Sequence, residues 1–522
     1  MSSAAAPPVP APHVPSPMTG VALGVTALAL ALGTFMQVLD ATIANVSLPT
    51  IAGNLGASTN QATWVVTAFV VANGIGVPLT GWLMNRYGVV RTFVVSVLAF
   101  TAMSFLCGIA WNLESLVFFR VLQGAVSGPM IPGSQALMLS IFPSSRRATA
   151  LGIWSITTLV APVCGPIIGG YISDSWHWGW IFLINVPVGL LVAFLCWKNL
   201  AVRETPTVRL PIDAVGLGLL VVWAGALQIM LDTGKNADWF NSGWIVTLGV
   251  ISVVGFCAFL LWEMTEEHPI VDLSLFRNAN FTLGTIMLCL GNAVFFANML
   301  LLPLWLQTQL GYTATWAGLV TAPTGMVAVL LTPLAAQMMA RFDARLVASI
   351  AFAASAVSYF MRAELTAQAD VWAFVLPLLV QGVSSATFFI ALAMIVLDGI
   401  PPHRIPSATG LSNFVRIIAS GFAASFVTTL WDRREAFHQS RLSEAVTATA
   451  PAFQDALSLL RGLGLGELQA KAAIGQKMVS QAYLLAALDI FHLSALISLV
   501  LVGAVWVCRR PARHGAVPTP LD

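Results

Sequence analysis

ALGVTALALALGTFMQVLDATIANVSL, residues 22–48, carries one charged side chain, Asp40, in an otherwise uncharged run. The hydrocarbon core of a bilayer is about 30 Å thick and accepts about 20 apolar residues as a helix. The run is long enough to cross a membrane, and its one acid would sit where charge is expensive. The rest of the chain repeats this texture. Of 522 residues, 58% are hydrophobic and 9% charged, whereas soluble domains are about a quarter charged; the mean hydropathy is +0.85. Apolar windows fall near 22–48, 62–82, 91–110, 115–139, 148–172, 179–197, 213–231, 244–262, 281–306, 316–338, 346–363, 372–397, 406–430 and 487–508. Lipid leaves only helices or closed barrels, and these windows are too long for barrel strands. The chain reads as an all-α polytopic membrane protein with 14 transmembrane helices.

Charge placement orients the spans, because cytoplasmic loops collect Lys and Arg. Alternate short loops and the C-terminal tail hold Arg86, Arg91, Arg146, Arg147, Lys198, Arg203, Arg209, Arg277, Arg341, Arg345, Arg404, Arg509, Arg510 and Arg513; the opposite short loops hold only Lys235 and Arg362. Both termini therefore read as cytoplasmic, and the long polar segment 431–486 as external. Trp64, Trp82, Trp111, Trp178, Trp180, Trp244, Trp262, Trp431 and Trp506 fall at span ends, as an interfacial belt would. The net charge of +2 offers no footprint for nucleic acid. Six cysteines lie within apolar runs without metal-ligand spacing, and the Pro/Ala/Ser-rich residues 1–19 lack a basic leader region. That stretch reads as a disordered tail.

Pro78-Leu79, Met84, Arg86 and Tyr87 recur as Pro333-Leu334, Met339, Arg341 and Phe342. Val121-Leu122-Gln123-Gly124 recurs as Leu379-Val380-Gln381-Gly382, and Ala148-Thr149-x-Leu151 as Ala408-Thr409-x-Leu411. Three matches in order, at offsets of about 255 to 260 positions, indicate the internal repeat common in secondary transporters. The offset leaves room for an extra helix pair, which gives a 6+2+6 arrangement. Residues 20–200 form an N-terminal six-helix bundle and 201–270 an inserted pair. Residues 271–510 form a C-terminal six-helix bundle that includes the external segment 431–486, and 511–522 form a cytoplasmic tail.

Gly81-Trp-Leu-Met-Asn-Arg-Tyr-Gly88-Val-Val-Arg91 resembles the cytoplasmic signature of the major facilitator superfamily, and Arg120-x-x-Gln123-Gly124 its second signature. Ala161-Pro-Val-Cys-Gly165-Pro166-Ile-Ile-Gly169-Gly170 resembles the motif of drug–proton antiporters. Leu39-Asp40-Ala-Thr-Ile-Ala-Asn45-Val-Ser-Leu-Pro49 is similar to the signature of the fourteen-span drug antiporters. Trp178-Gly-Trp180-Ile-Phe-Leu-Ile-Asn185-Val-Pro187, Gly311-Tyr-Thr-Ala-Thr-Trp-Ala-Gly318 and the long external segment resemble the EmrB multidrug exporter subfamily. This resemblance covers the chain beyond its N-terminal tail. It implies the major facilitator fold, drug export from a bacterial inner membrane driven by proton entry, and a periplasmic membrane-fusion adaptor with an outer-membrane channel. One position departs: the signature usually carries an acid where this chain has Asn85, and that acid normally helps latch the cytoplasmic gate.

Among the acids, Asp40 is the clearest intramembrane carboxylate, and opposite running directions bring it and Arg120 to similar depth. Desolvation and a nearby guanidinium act oppositely on such a carboxyl, which suits proton coupling; a helix-capping Asp40 and a bracing Arg120 are the alternative reading. Gln37, Asn292, Phe296 and Asn298 suggest a mostly apolar substrate cavity with few polar groups, and Arg416 either contacts an anionic substrate or pairs within the bundle. Gly165, Gly169 and Gly170 allow close helix approach, while Pro162 and Pro166 bend the span; ordinary tight packing is one reading, and the resemblance implies the other, an inter-domain seam that seals one state. Gly81, Asn85, Arg86, Gly88 and Arg91 form an inner gate, or serve topology alone. His177 and His492 read as interfacial.

No metal cluster, selectivity-filter repeat or Gly-rich phosphate loop appears, so the expectation is a secondary transporter with no cofactor beyond the proton, working on small lipophilic substrates within membrane lipid. The competing function is a proton-driven importer, or a facilitator of an endogenous solute, because fold does not fix direction. Inverted vesicles separate the two: an exporter accumulates a lipophilic dye and consumes the proton gradient, and an importer does neither.

Overall fold

The computed structural model describes residues 17–510 apart from 58, 63, 209–210, 236, 367 and 448–449; most of the expected N-terminal tail and all of 511–522 lie outside the described residues. Nineteen α-helices appear among these residues. The first half holds α1 (Gly20–Asn54), α2 (Thr59–Ala62), α3 (Trp64–Gly76), α4 (Thr80–Tyr87), α5 (Val89–Gly108), α6 (Leu113–Ser127), α7 (Met130–Ile141), α8 (Arg147–Ser175), α9 (Trp180–Leu183) and α10 (Asn185–Leu200). Next come α11 (Ala214–Thr233) and α12 (Gly243–Thr265). The second half holds α13 (Ala279–Gln309), α14 (Ala314–Arg341), α15 (Ala344–Ala363), α16 (Val371–Val396), α17 (Ile405–Ala445), α18 (Pro451–Gly462) and α19 (Glu467–Ala504).

By length and composition, 11 helices suit a membrane crossing, and two bent pairs raise this to as many as 13. The expected span 115–139 is divided between α6 and α7, of 15 and 12 residues, with the break at Gly128-Pro129. Backbone crowding accompanies the break: a Cβ on Gly128 would lie 2.2 Å from the Gly76 carbonyl carbon. Pro78 lies in the turn between α3 and α4, whose axes bend by 55°. In α8, Arg147–Pro162 and Ile167–Ser173 bend by 41°; proline removes a helical N–H and crowds the preceding turn.

α1 packs on α8, α10 and α7, while α5 packs on α6 and α10, and α3 on α6. In the second half α15 packs on α16 and α19, α13 on α17, and α14 on α16. α11 and α12 pair together, with α11 also against α3 and α17. Across the halves, α8 runs along α14 and α7 meets α17.

Two sequence expectations change. Residues 431–486 are largely helical: α17 continues to Ala445, α18 follows, and α19 begins at Glu467. Ion pairs support these polar turns, including Lys471–Glu467 at 2.7 Å, Arg434–Asp489 at 2.5 Å and Arg461–Glu467. Second, Trp178 and Trp431 are core residues, 2% and 3% exposed, and not part of an exposed belt. Trp178 stacks edge-on with Phe182, and the Trp431 indole donates to the Tyr483 carbonyl.

The glycine motif of α8 also packs differently from expectation. A Cβ on Gly165 would lie 2.3 Å from Thr42 Oγ1 and 3.2 Å from Ile43 N, and one on Gly169 would lie 2.7 Å from Ile43 Cγ1. Both glycines thus face α1, inside the first half and not the seam between halves. Gly170 has open space beside it. Pro166 lies within α8, its side chain outside the described residues. The seam contact comes from a neighbour, Ile167, whose Cγ1 would stand 3.6 Å from a Cβ on Gly318 of α14. Overpacking of this kind costs on the order of 1–3 kcal/mol. Gly165→Ala is expected to lower the thermal midpoint of the detergent-purified protein, and Gly170→Ala to leave it in place; equal midpoints would contradict this packing.

Candidate functional site

Asp40 and Arg120 are both fully buried. Arg120 Nη1 donates to Asp40 Oδ2 at 2.5 Å. Two amides complete the carboxylate's shell, with Asn185 Nδ2 donating to Oδ1 at 2.8 Å and Gln123 Nε2 at 3.2 Å. Arg120 is held in turn: Nε donates to the Val65 carbonyl at 3.0 Å, Nη1 to Gln123 Oε1 at 2.8 Å, and the guanidinium stacks 4.1 Å from the Phe69 ring centroid. Its Nη2 is buried without a partner. Asn185 is fixed by donating to Ser104 Oγ at 2.9 Å, and Ser104 donates to the Phe182 carbonyl at 3.0 Å. Side chains of α6 and α10 therefore meet the acid of α1, and Ser104 of α5 braces one of them. Buried charge survives only when paired and hydrogen-bonded, and this shell supplies both.

Sequence reasoning placed Asp40 and Arg120 together but assigned no role to Gln123, Asn185 or Ser104. The signal was present. Gln123 and Asn185 are amides inside apolar runs, and both belong to the signatures quoted for the family.

A second polar cluster bridges the halves. Asn413 Nδ2 of α17 donates to Gln135 Oε1 of α7 at 3.2 Å, and Arg416 donates to Asn413 Oδ1 at 2.9 Å. Arg416 stands 5.9 Å from the Phe389 ring centroid. No carboxylate forms an ion pair with it among the described residues. Asn292 is attached to the same helix, its Nδ2 donating to Ser420 Oγ at 2.7 Å. Gln135, Trp154, Phe389, Asn413 and Arg416 line a cavity of about 20 Å³, enough for about one water molecule. The halves are closed around Arg416 in this conformation.

The remaining cavity candidates do not join it. Asn298 turns to α19, donating to Ser494 Oγ at 2.9 Å, and Phe296 is 38% exposed and does not line this cavity. Positions 292 and 298 lie six residues apart, which at 3.6 residues per turn places them on different faces. Gln37 is buried in α1 with its Oε1 unpartnered. It sits three residues from Asp40 and three from Thr34, so it neighbours both on one helix face. Thr34 bonds Ser134 at 2.6 Å, and the Trp154 indole donates to Ser134 at 3.0 Å. Asp40 does not line the central cavity, but a run of polar side chains leads from its wall at Trp154 to the acid.

At the other end, a Cβ on Gly81 would lie 2.7 Å from Ser407 Oγ, so α4 and α17 close on one another there. Gly88 has φ +91°, a conformation glycine adopts without penalty. Arg86 lies over Trp82, 5.4 Å from its ring centroid, and the Asn85 carbonyl accepts from Val208 N at 2.8 Å. Glu204, which sequence reasoning passed over, reaches this turn: its carboxylate accepts from Val90 N at 3.0 Å and Arg91 N at 2.8 Å. A carboxylate at a helix N-terminus meets unsatisfied N–H groups and the positive end of the dipole. The 81–91 turn thus has a bound acid even though Asn85 is neutral.

The pattern of the Major Facilitator Superfamily matches residues 30–424. The chain is 48% identical over 500 residues to "Multidrug export protein EmrB" of Escherichia coli (strain K12), covering 96% of this chain and 98% of that protein. It is 46% identical over 499 residues to "Fatty acid resistance protein FarB" of Neisseria gonorrhoeae, with 96% and 98% covered. Among solved structures, the human organic anion transporter MFSD10 shares the fold with a TM-score of 0.55 at 12% identity, covering 93% of this chain and 98% of that one.

Proposed function

The chain belongs to the Major Facilitator Superfamily, as an EmrB-like multidrug transporter, and from that premise we propose that it exports lipophilic compounds in exchange for protons taken up at Asp40. The observation that carries the coupling step is Asp40, fully buried at membrane depth and held by Arg120, Gln123 and Asn185. When Arg120 holds Asp40, the carboxylate is neutralised and needs no proton. When rocking of the halves draws the guanidinium away, an unpaired carboxylate in lipid costs too much and takes a proton instead. The polar run through Gln37, Thr34 and Ser134 to Trp154 ties that exchange to the cavity between halves. One proton entering down about 100 mV supplies about 2.3 kcal/mol, which for a neutral drug sustains a gradient of roughly 50-fold.

The substrate site of this reading is the seam at Gln135, Asn413 and Arg416, opened to drug size. An unneutralised guanidinium there favours lipophilic acids, and the printed name of the FarB relative agrees with that preference. The inner gate is the α4–α17 contact at Gly81, with Asn85, Arg86, Gly88 and Arg91 shaping the turn. Gly165 and Gly169 carry α1, and so Asp40, with α8 as it moves along α14. The fourteen-span 6+2+6 arrangement, the inner-membrane setting with cytoplasmic termini, and docking of a periplasmic adaptor and outer-membrane channel belong to the same proposal. Exposed Leu459, Leu463 and Leu468 on the helices beyond α17 support the docking element.

Proteoliposomes with an imposed pH gradient provide the test. Asp40→Asn is expected to abolish gradient-driven drug uptake while drug binding persists. Arg416→Gln is expected to reduce transport of a lipophilic carboxylate about 10-fold more than that of a neutral compound, the loss of about 1.4 kcal/mol of charge-assisted contact. Gradient-driven uptake by Asp40→Asn at the wild-type rate would overturn the coupling site.

A further inference from the structure

A pair of buried acids lies at the end of the molecule that carries the start of α17 and the 81–91 turn. Asp213 precedes α11 and Glu263 lies in the last turn of α12; they are 7% and 4% exposed. A Cβ on Gly216 would lie 2.1 Å from Asp213 Oδ2 and 2.8 Å from Glu263 Oε1, so the two oxygens converge on one point. Neither acid forms an ion pair among the described residues, and there the charged groups acting on Glu263 are Asp213 and Glu266, both acidic.

Their hydrogen bonding is unequal. Asp213 Oδ1 accepts from Gly216 N at 2.8 Å, and both its oxygens accept from the Trp262 indole at 3.0 Å. Glu263 Oε2 accepts only from Val271 N at 3.1 Å, and its Oε1 is buried with no partner. Two desolvated carboxyls this close do not both ionise. Donors reach both oxygens of Asp213, and the orphan oxygen of Glu263 is the place left for a hydrogen. A divalent metal is poorly served, since it takes six or more oxygen ligands and no group of three acid, His or Cys ligands occurs among the described residues.

We propose that Asp213 and Glu263 form a proton-binding carboxyl pair, with Glu263 Oε1–H donating to Asp213 Oδ2. The bound proton fastens the segment after α12 to the inserted helices. Val271, held by Glu263, adjoins Asp272, which pairs with Arg404 at 2.5 Å. Arg404 also meets Ser274 at 2.5 Å and stands immediately before α17. Release of the proton sets two like charges against each other at the root of this tie. The site is thus placed to report proton activity to the helix whose Ser407 closes on Gly81, and it is independent of Asp40.

Infrared pH titration of the full-length protein in lipid nanodiscs, reading the C=O stretch of protonated carboxyls, tests the pair. Glu263→Gln, checked for monodispersity, is expected to lose one titrating band and Asp213→Asn to shift that band's frequency and midpoint, whereas Asp40→Asn leaves it unchanged. Retention of every band in Glu263→Gln, or an unshifted band in Asp213→Asn, would overturn the proposal. So would displacement of that band by added calcium or sodium at fixed pH, which would make the pair a cation site. A further readout is the pH profile of drug transport: Glu263→Gln, fixed in the neutral form, is expected to flatten it, and an unshifted profile counts against the link to α17.

Discussion

Charge inside a membrane protein must be neutralised by something other than water, and the Asp40–Arg120 pair is where this constraint is met most completely. Neither side chain reaches solvent, and the acid is wrapped by one cation and two amides drawn from α6 and α10. Such a shell is costly to break halfway, because removing one partner strands the other. That is the property a coupling site needs. It has a stable arrangement with the ion pair made, and it requires a proton when the pair is parted.

The seam between halves obeys the same rule with a different outcome. Arg416 is satisfied in part by Asn413 and by the Phe389 face, and no acid completes it among the described residues. A site that neutralised this charge internally would have little use for an anionic guest. The conformation described holds the seam nearly closed, with room for about one water at Arg416. Helix contacts tighten it further: Gly81 admits Ser407, and Gly152 would place a Cβ 2.9 Å from Thr332 Cγ2 of α14. Small residues let these backbones approach, so a modest rotation of α8 along α14 suffices to change which groups meet.

Much of this was legible in the sequence because the bilayer imposes strong rules. The long apolar runs gave the helices, and a lone acid among them singled out Asp40. Arg120 followed from depth alone. What escaped were features that depend on which face a residue presents. Asn298 shares a helix with Asn292 but points to α19. Gly165 and Gly169 read as a seam motif, yet they hold α1 against α8. Within the polar stretch 431–486 the sequence shows helical spacing only from Phe453 to Leu463; that α17 and α19 extend into it depends on ion pairs that hydropathy does not register. Glu204 and Glu263 lie near span ends without any motif to mark them, and only the folded chain shows one capping α5 and the other buried near Asp213.

The central claim is that drug and proton compete through one carboxyl. The most direct measurement adds drug to purified protein in weakly buffered detergent and records the pH. Wild type is predicted to release protons on drug binding, and Asp40→Asn to bind drug without releasing any. Equal proton release from both proteins would contradict the account.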